Sequence, residues 1–246
     1  MDHKPCFLLK INTGCQLLIK ETTGGNVILN IDNITTWVFD LDNTLYNVDT
    51  DLFSKVSKRM TIFIQNEFHL NESDARDLQK KMFQKYGTTM RGLMVEHEMD
   101  PSEFLDFVHD IDVRDLKRDE QLRDLLIKLP GKRVIYTNGS VLHAERVTQQ
   151  LGIYEVFEDI FDIVAGDFVP KPDPAPYKKM IREFDILPSQ AVMVDDMAKN
   201  LRPASELGMK TVWLRHSKEW SSDALSVEHI DCEINELKTW LARIIK

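Results

Sequence analysis

The sequence predicts an α/β protein, with a doubly wound, Rossmann-like parallel sheet and an inserted all-helical cap domain. Strand-like apolar runs alternate with helical patterns after residue 118, polar residues follow each strand directly, and residues 48–117 show helical periodicity alone. We therefore expect residues 31–47 and 118–246 to form the core and residues 48–117 to form the cap.

The first thirty residues contain three short apolar runs, separated by Asn12-Thr13-Gly14 and Gly24-Gly25. Turn residues between short apolar runs favour a small β-meander over a helix. A mobile extension fits the pattern equally well. We expect no catalytic residues in this N-terminal extension.

The first core strand is predicted at Thr35 to Phe39, where β-branched and aromatic residues indicate burial. Asp40 and Asp42 follow it. On a continuing strand these two side chains share one face, and ligands of α/β sheets bind beyond the carboxyl ends of strands. Two carboxylates this close need a cation or a shared proton. A helix N-cap and a turn acid are the alternative.

Four helices are predicted in the insert. The first shows apolar residues at helical spacing from Leu52 to Ile64. The second begins near Asn71 to Ser73 and ends at Tyr86-Gly87, where glycine suits a left-handed C-cap. Met90 to His97 and Pro101 to Asp110 complete the set, the last with proline in its first turn.

The rest of the core is predicted from alternating strands and helices. Its connections are long enough for helices, which requires parallel strands. The predicted strands are Arg133 to Tyr136, Ile163 to Ala165, Ala191 to Val194 and Lys210 to Leu214, and Ile234 to Ile245 is predicted as a closing helix.

Three polar clusters lie just past these strands. Thr137 to Ser140 offers a hydroxyl and the N–H groups of a glycine turn, which suit phosphate oxygens, although an ordinary turn with Ser140 as N-cap gives the same pattern. Lys171 lies between two prolines that fix the backbone, but most single lysines are solvated. The adjacent acids Asp195-Asp196 end an apolar run, and buried acids are costly without a cation.

Composition restricts the partners. The chain has 246 residues and a net charge of −9 with no basic block, which argues against a nucleic-acid partner, so any anionic substrate must be held locally. Three cysteines without metal-ligand spacing indicate reduced thiols, and we expect a cytoplasmic location. Polar residues interrupt the longest apolar runs, so neither a membrane span nor a secretory signal is expected. The oligomeric state is not predicted.

The order of these motifs along the chain resembles the signature of the haloacid dehalogenase superfamily of phosphatases. The resemblance covers roughly residues 31–246, and the insert looks like that superfamily's first class of cap. The first thirty residues depart from it. Three strings are also similar to bacterial pyrimidine 5′-nucleotidase-type members: Trp37 to Tyr46, Tyr86 to Leu93, and Thr137 to Gly139 with His143 to Val147.

The resemblance implies a reaction and a cofactor. Asp40 is expected to attack phosphorus and form an aspartyl-phosphate, and Asp42 to act as general acid and base. Mg²⁺ is expected on the Asp40 carboxylate, the Asp42 main-chain carbonyl and the Asp195/Asp196 pair. By family register, Asp196 is the better direct ligand, while Asp195 orients a metal-bound water.

The remaining site residues concern the substrate. Thr137 and Asn138 are expected to bind phosphoryl oxygens, and Lys171 to offset their charge. Tyr46 and Arg91 are weaker candidates for substrate contact, and packing explains Tyr46 equally well. We expect a small-molecule phosphate ester, with pyrimidine nucleoside 5′-monophosphates favoured over phosphoglycolate or a sugar phosphate.

Two rival activities share parts of the pattern. A dehalogenase also uses an aspartate nucleophile, but it needs neither Asp42 nor a cation site. A phospho-receiver module also places acids, a hydroxyl and a lysine at strand ends, but it lacks Asp42 and an insert of this size. His143 is expected to be structural or solvent-facing, because the reaction already has an acid and a base.

Overall fold

The computed structural model describes residues 31–216 and 227–245. The meander or mobile extension predicted for residues 1–30 lies outside the described residues. The strands are β1 (Thr36–Phe39), β2 (Lys132–Tyr136), β3 (Asp159–Phe161), β4 (Ala191–Asp195), β5 (Lys210–Leu214) and β6 (Cys232–Ile234). They form a parallel sheet in the order β3-β2-β1-β4-β5-β6, which confirms the predicted doubly wound, Rossmann-like fold.

The helices of the described ranges fall into two groups. Between β1 and β2 lie α1 (Leu52–Phe68), α2 (Glu72–Tyr86), α3 (Thr89–His97) and α4 (Pro101–His109). The others are α5 (Glu120–Ile127), α6 (Val141–Leu151), α7 (Pro174–Glu183), α8 (Ala198–Glu206) and α9 (Leu237–Ile244). None of these helices combines the length and the apolarity needed to cross a bilayer.

Both faces of the sheet are buried, because helices cover each of them. In β1, Trp37 and Phe39 point into the larger core with α5, α6 and α9, whereas Val38 points into a second core with α7 and α8. Trp37 also donates a hydrogen bond to the carbonyl of Pro130 at 2.9 Å. The continuous apolar sequence of β1 thus follows from burial on two sides.

The four-helix insert is built around α2. Its N-cap Asn71 accepts the N–H of Asp74, and Gly87 takes the left-handed C-cap conformation with φ of +82°. A side chain at Gly92 would place its Cβ 2.6 Å from the Cβ of Met82, so this glycine lets α3 pack closely on α2. The predicted starts and ends of α2, α3 and α4 are confirmed to within one or two residues, whereas α1 continues four residues past the predicted Ile64, to Phe68.

One predicted strand is wrong. Residues 163–165 form a turn, and the strand lies earlier, at Asp159–Phe161. The cause is Asp162, whose carboxylate accepts the N–H groups of Val141 and Ala165 and so turns the chain away from the sheet. The apolar residue Val164 is 47% exposed on this turn.

The closing helix was also predicted too long. Ile234 belongs to β6, a short edge strand that the pattern did not reveal. The helix begins at Leu237 because the carboxylate of Glu236 accepts the N–H groups of Lys238 and Thr239 and caps it there.

Candidate active site

The two acidic motifs meet where the order of the strands reverses. From β1 the chain proceeds to β2 and β3 on one side, and then returns to β4 on the other side of β1. Asp40 directly follows β1, and Asp195 is the last residue of β4. The crevice beyond the carboxyl ends of strands at such a switch point is the usual ligand site of open α/β sheets.

Lys171 joins these two motifs. It is 2% exposed, and its ammonium donates to Asp40 Oδ1 at 2.7 Å, to Asp195 Oδ2 at 2.7 Å and to the carbonyl of Tyr136 at 3.0 Å. All three donors of the ammonium are thus used. The other oxygen of Asp40, Oδ2, accepts a hydrogen bond from the Thr44 hydroxyl at 3.1 Å.

Burial and mutual repulsion raise the pKa values of two of the acids near Lys171. Burial, opposed by the attraction of Lys171 and reinforced by the charge of Asp195, raises the pKa of Asp40 to about 7. Burial and the charges of Asp40 and Asp195 hold the pKa of Asp196 well above its usual range. Burial alone would lower the pKa of Lys171, but the two carboxylates raise it above the ordinary value.

Asp195 and Asp196 have different surroundings. Asp195 is fully buried, and besides Lys171 it accepts hydrogen bonds from the N–H of Met197 at 2.8 Å and from Asn200 Nδ2 at 3.0 Å. The Asp196 carboxylate makes no hydrogen bond or ion pair with the described part of the chain, and it borders the cavity. Asp196 is therefore the acid whose oxygens remain available.

This donor set suits a hard divalent cation. Asp40, Asp195 and Asp196 each offer a carboxylate oxygen, and these oxygens lie within 4.8 Å of one another. Mg²⁺ prefers oxygen ligands and retains several waters. A cation at this position would neutralise the Asp196 carboxylate, for which residues 31–216 and 227–245 supply no partner, so these residues fit the group.

The pattern predicts Asp42 on a continuation of β1, but Asp42 lies in a turn. β1 ends at Phe39, and Asn43 turns the chain with φ of +61°. Asp42 nevertheless borders the same cavity as Asp40. Its Oδ1 accepts hydrogen bonds from the Tyr46 hydroxyl at 2.7 Å and from His143 Nε2 at 2.9 Å.

Two side chains hold the loop after β2. Thr137 Oγ1 accepts the N–H of Gly139 at 2.9 Å, and Asn138 Oδ1 accepts the N–H of Lys171 at 2.9 Å. Asn138 thus fixes the backbone that carries the lysine. Ser140 caps α6, as the alternative interpretation of this motif expected.

A cavity of about 440 Å³ extends from these strand ends to the insert. Its core side consists of Asp40, Asp42, Thr137, Asn138, Lys171 and Asp196, together with neighbouring residues. Its insert side is mainly apolar, with Phe53, Phe83 and Phe104, and adds polar Ser54, Ser57 and Gln79. The volume lies within the range common for small-molecule sites.

Neither Tyr46 nor Arg91 belongs to the described residues that line this cavity. Tyr46 is 6% exposed in the apolar core, and its hydroxyl contacts Asp42. The N–H of Arg91 is bound by the hydroxyl of Thr88, which caps α3. Their substrate contact stays a prediction, without a place in this cavity.

Four polar residues that contact or surround the acids are not among the site residues that the sequence predicts. Thr44 and Asn200 hydrogen-bond Asp40 and Asp195, at spacings of four and five residues that could have suggested them. His143 is 1% exposed and contacts Asp42, so the solvent-facing alternative is wrong. His109 stacks on His143 from a distant part of the chain, for which the sequence gives no signal.

Comparisons with known proteins agree on one family. The model of the family described as "haloacid dehalogenase-like hydrolase" matches residues 34–208. "Phosphate metabolism protein 8" of Saccharomyces cerevisiae is 29% identical over 70% of this chain, which spans only 58% of that protein. "Glyceraldehyde 3-phosphate phosphatase" of Pyrococcus furiosus is 28% identical over 81% of this chain and 88% of that protein.

Solved structures show the same fold. A HAD phosphatase from Thermococcus onnurineus has a TM-score of 0.60 at 16% identity, covering 86% of this chain and 98% of that chain. CbbY from Rhodobacter sphaeroides, in complex with xylulose-(1,5)bisphosphate, has a TM-score of 0.57 at 16% identity, covering 82% and 93%. At these identities the likeness concerns architecture alone.

Proposed function

Because this chain belongs to the haloacid dehalogenase-like hydrolase family, we propose that it is a phosphoric monoester hydrolase that acts through an aspartyl-phosphate on Asp40. The observation that carries the proposal is the carboxylate of Asp40, which lies at the switch point, is paired with Lys171 and borders the cavity beside Asp196. Relatives named as phosphatases support the reaction class.

In the first displacement, a carboxylate oxygen of Asp40 attacks phosphorus while the bond to the leaving oxygen breaks. The leaving oxygen retains the electron pair and takes a proton from Asp42. Lys171 offsets the negative charge of Asp40 and of the phosphoryl group, and Thr137 with the nearby amides binds phosphoryl oxygens. Asp40 thereby holds the phosphoryl group as a mixed anhydride.

In the second displacement, water attacks phosphorus and gives its proton to Asp42. The bond between phosphorus and Asp40 breaks, which releases inorganic phosphate and regenerates the carboxylate. Asp42 ends each turnover protonated, ready to act as an acid for the next ester.

We propose that the cofactor is Mg²⁺, held by the carboxylates of Asp40 and Asp196 and by the main-chain carbonyl of Asp42. Asp195 already accepts hydrogen bonds from Lys171 and Asn200, so its part is to orient Lys171 and to balance the charge of its ammonium. When bound, the ion supplies charge neutralisation for the phosphoryl oxygens.

We further propose that residues 48–117 act as a cap over a core of residues 31–47 and 118–246. The core side of the cavity presents groups for the phosphoryl moiety, which every ester shares. Selectivity therefore depends on the insert, whose side is mainly apolar and aromatic.

Within this class we favour pyrimidine nucleoside 5′-monophosphates. Phe53, Phe83 and Phe104 offer apolar surface for a base. The hydroxyl of Ser57, which accepts a hydrogen bond from Gln79, can still donate one to a base edge or ribose. Phosphoglycolate and sugar phosphates are smaller and more polar, and they are the alternatives that the names of two relatives suggest.

The test is release of inorganic phosphate from a panel of esters, with Mg²⁺ and with excess chelator. The panel comprises pyrimidine and purine nucleotides, phosphoglycolate, glyceraldehyde 3-phosphate and sugar phosphates. Mass spectrometry of acid-quenched enzyme should locate phosphate on Asp40. No release from any ester with Mg²⁺ would contradict the reaction class, whereas a preference for phosphoglycolate would contradict only the nucleotide assignment.

A further inference from the structure

Asp42 is held by one of its two oxygens. Oδ1 accepts from both the Tyr46 hydroxyl at 2.7 Å and His143 Nε2 at 2.9 Å, whereas Oδ2 receives no hydrogen bond from the described residues. A carboxylate oxygen has about two lone-pair sites, so Oδ1 is saturated. A proton on this carboxyl group therefore belongs on Oδ2.

His143 is firmly placed for this contact. It lies in the first turn of α6, its side chain is 1% exposed, and its ring stacks on His109 with centroids 4.4 Å apart and planes 12° from parallel. Because the carboxylate can only accept, Nε2 must carry the hydrogen. The two rings leave His143 little freedom to turn away from Asp42.

His109 brings the insert into this arrangement. It is the last residue of α4, and its Nδ1 lies 2.9 Å from the hydroxyl of Ser140. Arg146 of α6 donates to the main-chain carbonyls of His109 and Ile111, at 2.9 and 2.6 Å. The end of the insert and the start of α6 are thus joined around the His143 ring.

Burial lowers the pKa of His109 to about 3. The stacked ring is therefore neutral and packs against His143 without adding a charge near Asp42.

We propose that His143 is a positioning residue for Asp42: with Tyr46 it occupies Oδ1, fixes the rotation of the carboxyl group and leaves Oδ2 to exchange the proton with the leaving oxygen. This inference rests on the proposed phosphatase reaction and deepens it. His143 touches neither the substrate nor the reacting phosphorus in this scheme, and its effect passes through Asp42 alone.

This role has a signature that packing does not produce. A correctly aligned acid matters most when the leaving oxygen is strongly basic, and least when the leaving group departs without a proton. The value of kcat/KM reports the first displacement, in which the leaving group departs. Loss of alignment should therefore steepen the dependence of kcat/KM on leaving-group basicity.

The experiment compares substituted phenyl phosphates, from phenyl to p-nitrophenyl, which differ little in shape and strongly in leaving-group basicity. His143→Leu removes the donor at similar size. We expect kcat/KM to fall about 10- to 100-fold for phenyl phosphate, part of the usual contribution of an acid catalyst, and by no more than about 3-fold for p-nitrophenyl phosphate.

Three further variants make the result specific. His143→Gln retains an N–H donor and should recover most of the kcat/KM for phenyl phosphate that His143→Leu loses. The side chain of His143→Asn is too short to reach Asp42, so this variant should behave like His143→Leu. Thr148→Val removes a buried hydroxyl of the same helix, which donates to the carbonyl of Ala144 away from Asp42, and should leave the dependence unchanged. Thermal unfolding of each variant confirms that it is folded.

The outcomes separate the two levels of inference. Equal losses on all phenyl phosphates, or no rescue by glutamine, would overturn the positioning role and leave the phosphatase intact. If wild-type enzyme with Mg²⁺ cleaves none of these esters and carries no phosphate on Asp40, the proposed function fails and this inference with it. If the His143→Leu variant does not fold, the comparison of His143→Asn with His143→Gln tests the positioning role in the same way.

Discussion

The two sides of the cavity differ in how their polar groups are satisfied. On the core side, Lys171, Asp40 and Asp195 form a closed network in which both carboxylates and the ammonium have partners within 2.7 Å. On the insert side most lining residues are apolar, and the polar Gln79 bonds within the insert, to Thr61 and Ser57, rather than in an ionic network. The core is organised in advance for one charged group, whereas the insert offers surface that a change of residue could adapt to another leaving group.

Substitution of the nucleophile should have the largest effect. Asp40→Asn removes the attacking oxygen, and we expect kcat to fall by about 10⁵-fold or more. Lys171 retains Asp195 as its partner, so the fold should persist. Phosphate release and thermal unfolding are measured on the same preparation. Ordinary turnover by a folded Asp40→Asn enzyme would exclude the covalent route.

Removal of the metal ion should have the second-largest effect on activity. Of the four acids in the two acidic motifs, Asp40, Asp42, Asp195 and Asp196, only Asp40 and Asp195 pair with Lys171. Excess chelator should therefore reduce phosphate release to background, and Mg²⁺ should restore it. Mn²⁺ should restore part, since oxygen sites discriminate weakly between these ions. Full activity in chelator would contradict the metal assignment.

The Asp196→Asn variant tests the metal site through protein stability, without a measurement of activity. In wild type, Mg²⁺ at about 100 times its dissociation constant should stabilise the fold by about 2.7 kcal/mol. The variant should lose most of this gain, while its metal-free form should be more stable than metal-free wild type, because it lacks a buried charge that no described residue pairs with. The measurement is thermal unfolding with and without Mg²⁺. Asp173→Asn, an exposed acid at the N-cap of α7, is a control that should retain the full Mg²⁺ effect.

Changes on the insert side should be smallest and should alter selectivity. Phe83→Ala opens the apolar side of the cavity, and we expect kcat/KM for uridine 5′-monophosphate to fall about 10-fold relative to phosphoglycolate, from the loss of apolar contact. Arg91→Ala, at a residue outside the cavity lining, should change this ratio by less than about 3-fold. The opposite ranking would restore the substrate role that the sequence predicted for Arg91.

Asp40, Thr137 and Asp195 were predictable because each lies at the end of an apolar strand, whereas Lys171 follows β3 by ten residues. The order of Asp40, Thr137, Lys171 and Asp195 along the chain was enough to predict that strand ends would bring them together. The third strand was misplaced because Val164 and its neighbours look apolar, while the turn is determined by hydrogen bonds from the Asp162 side chain.

The histidine pair was not predictable, because it depends on tertiary contact. His109 lies 34 residues before His143 along the chain, and only the packing of α4 against α6 stacks the rings. Arg146 binds the main-chain carbonyls of His109, the last residue of α4, and of Ile111, and main-chain partners leave no trace in a sequence pattern.

The pairing of Lys171 with Asp40 has a consequence for how turnover ends. While Asp40 holds the phosphoryl group, its carboxylate carries no charge of its own, so the phosphoryl group shares the lysine only with Asp195. Once water breaks the anhydride, Asp40 becomes an anion again beside the newly formed phosphate, and repulsion between them favours departure of the product. Inorganic phosphate should accordingly be a weak inhibitor, and the chemical step itself clears the site for the next substrate.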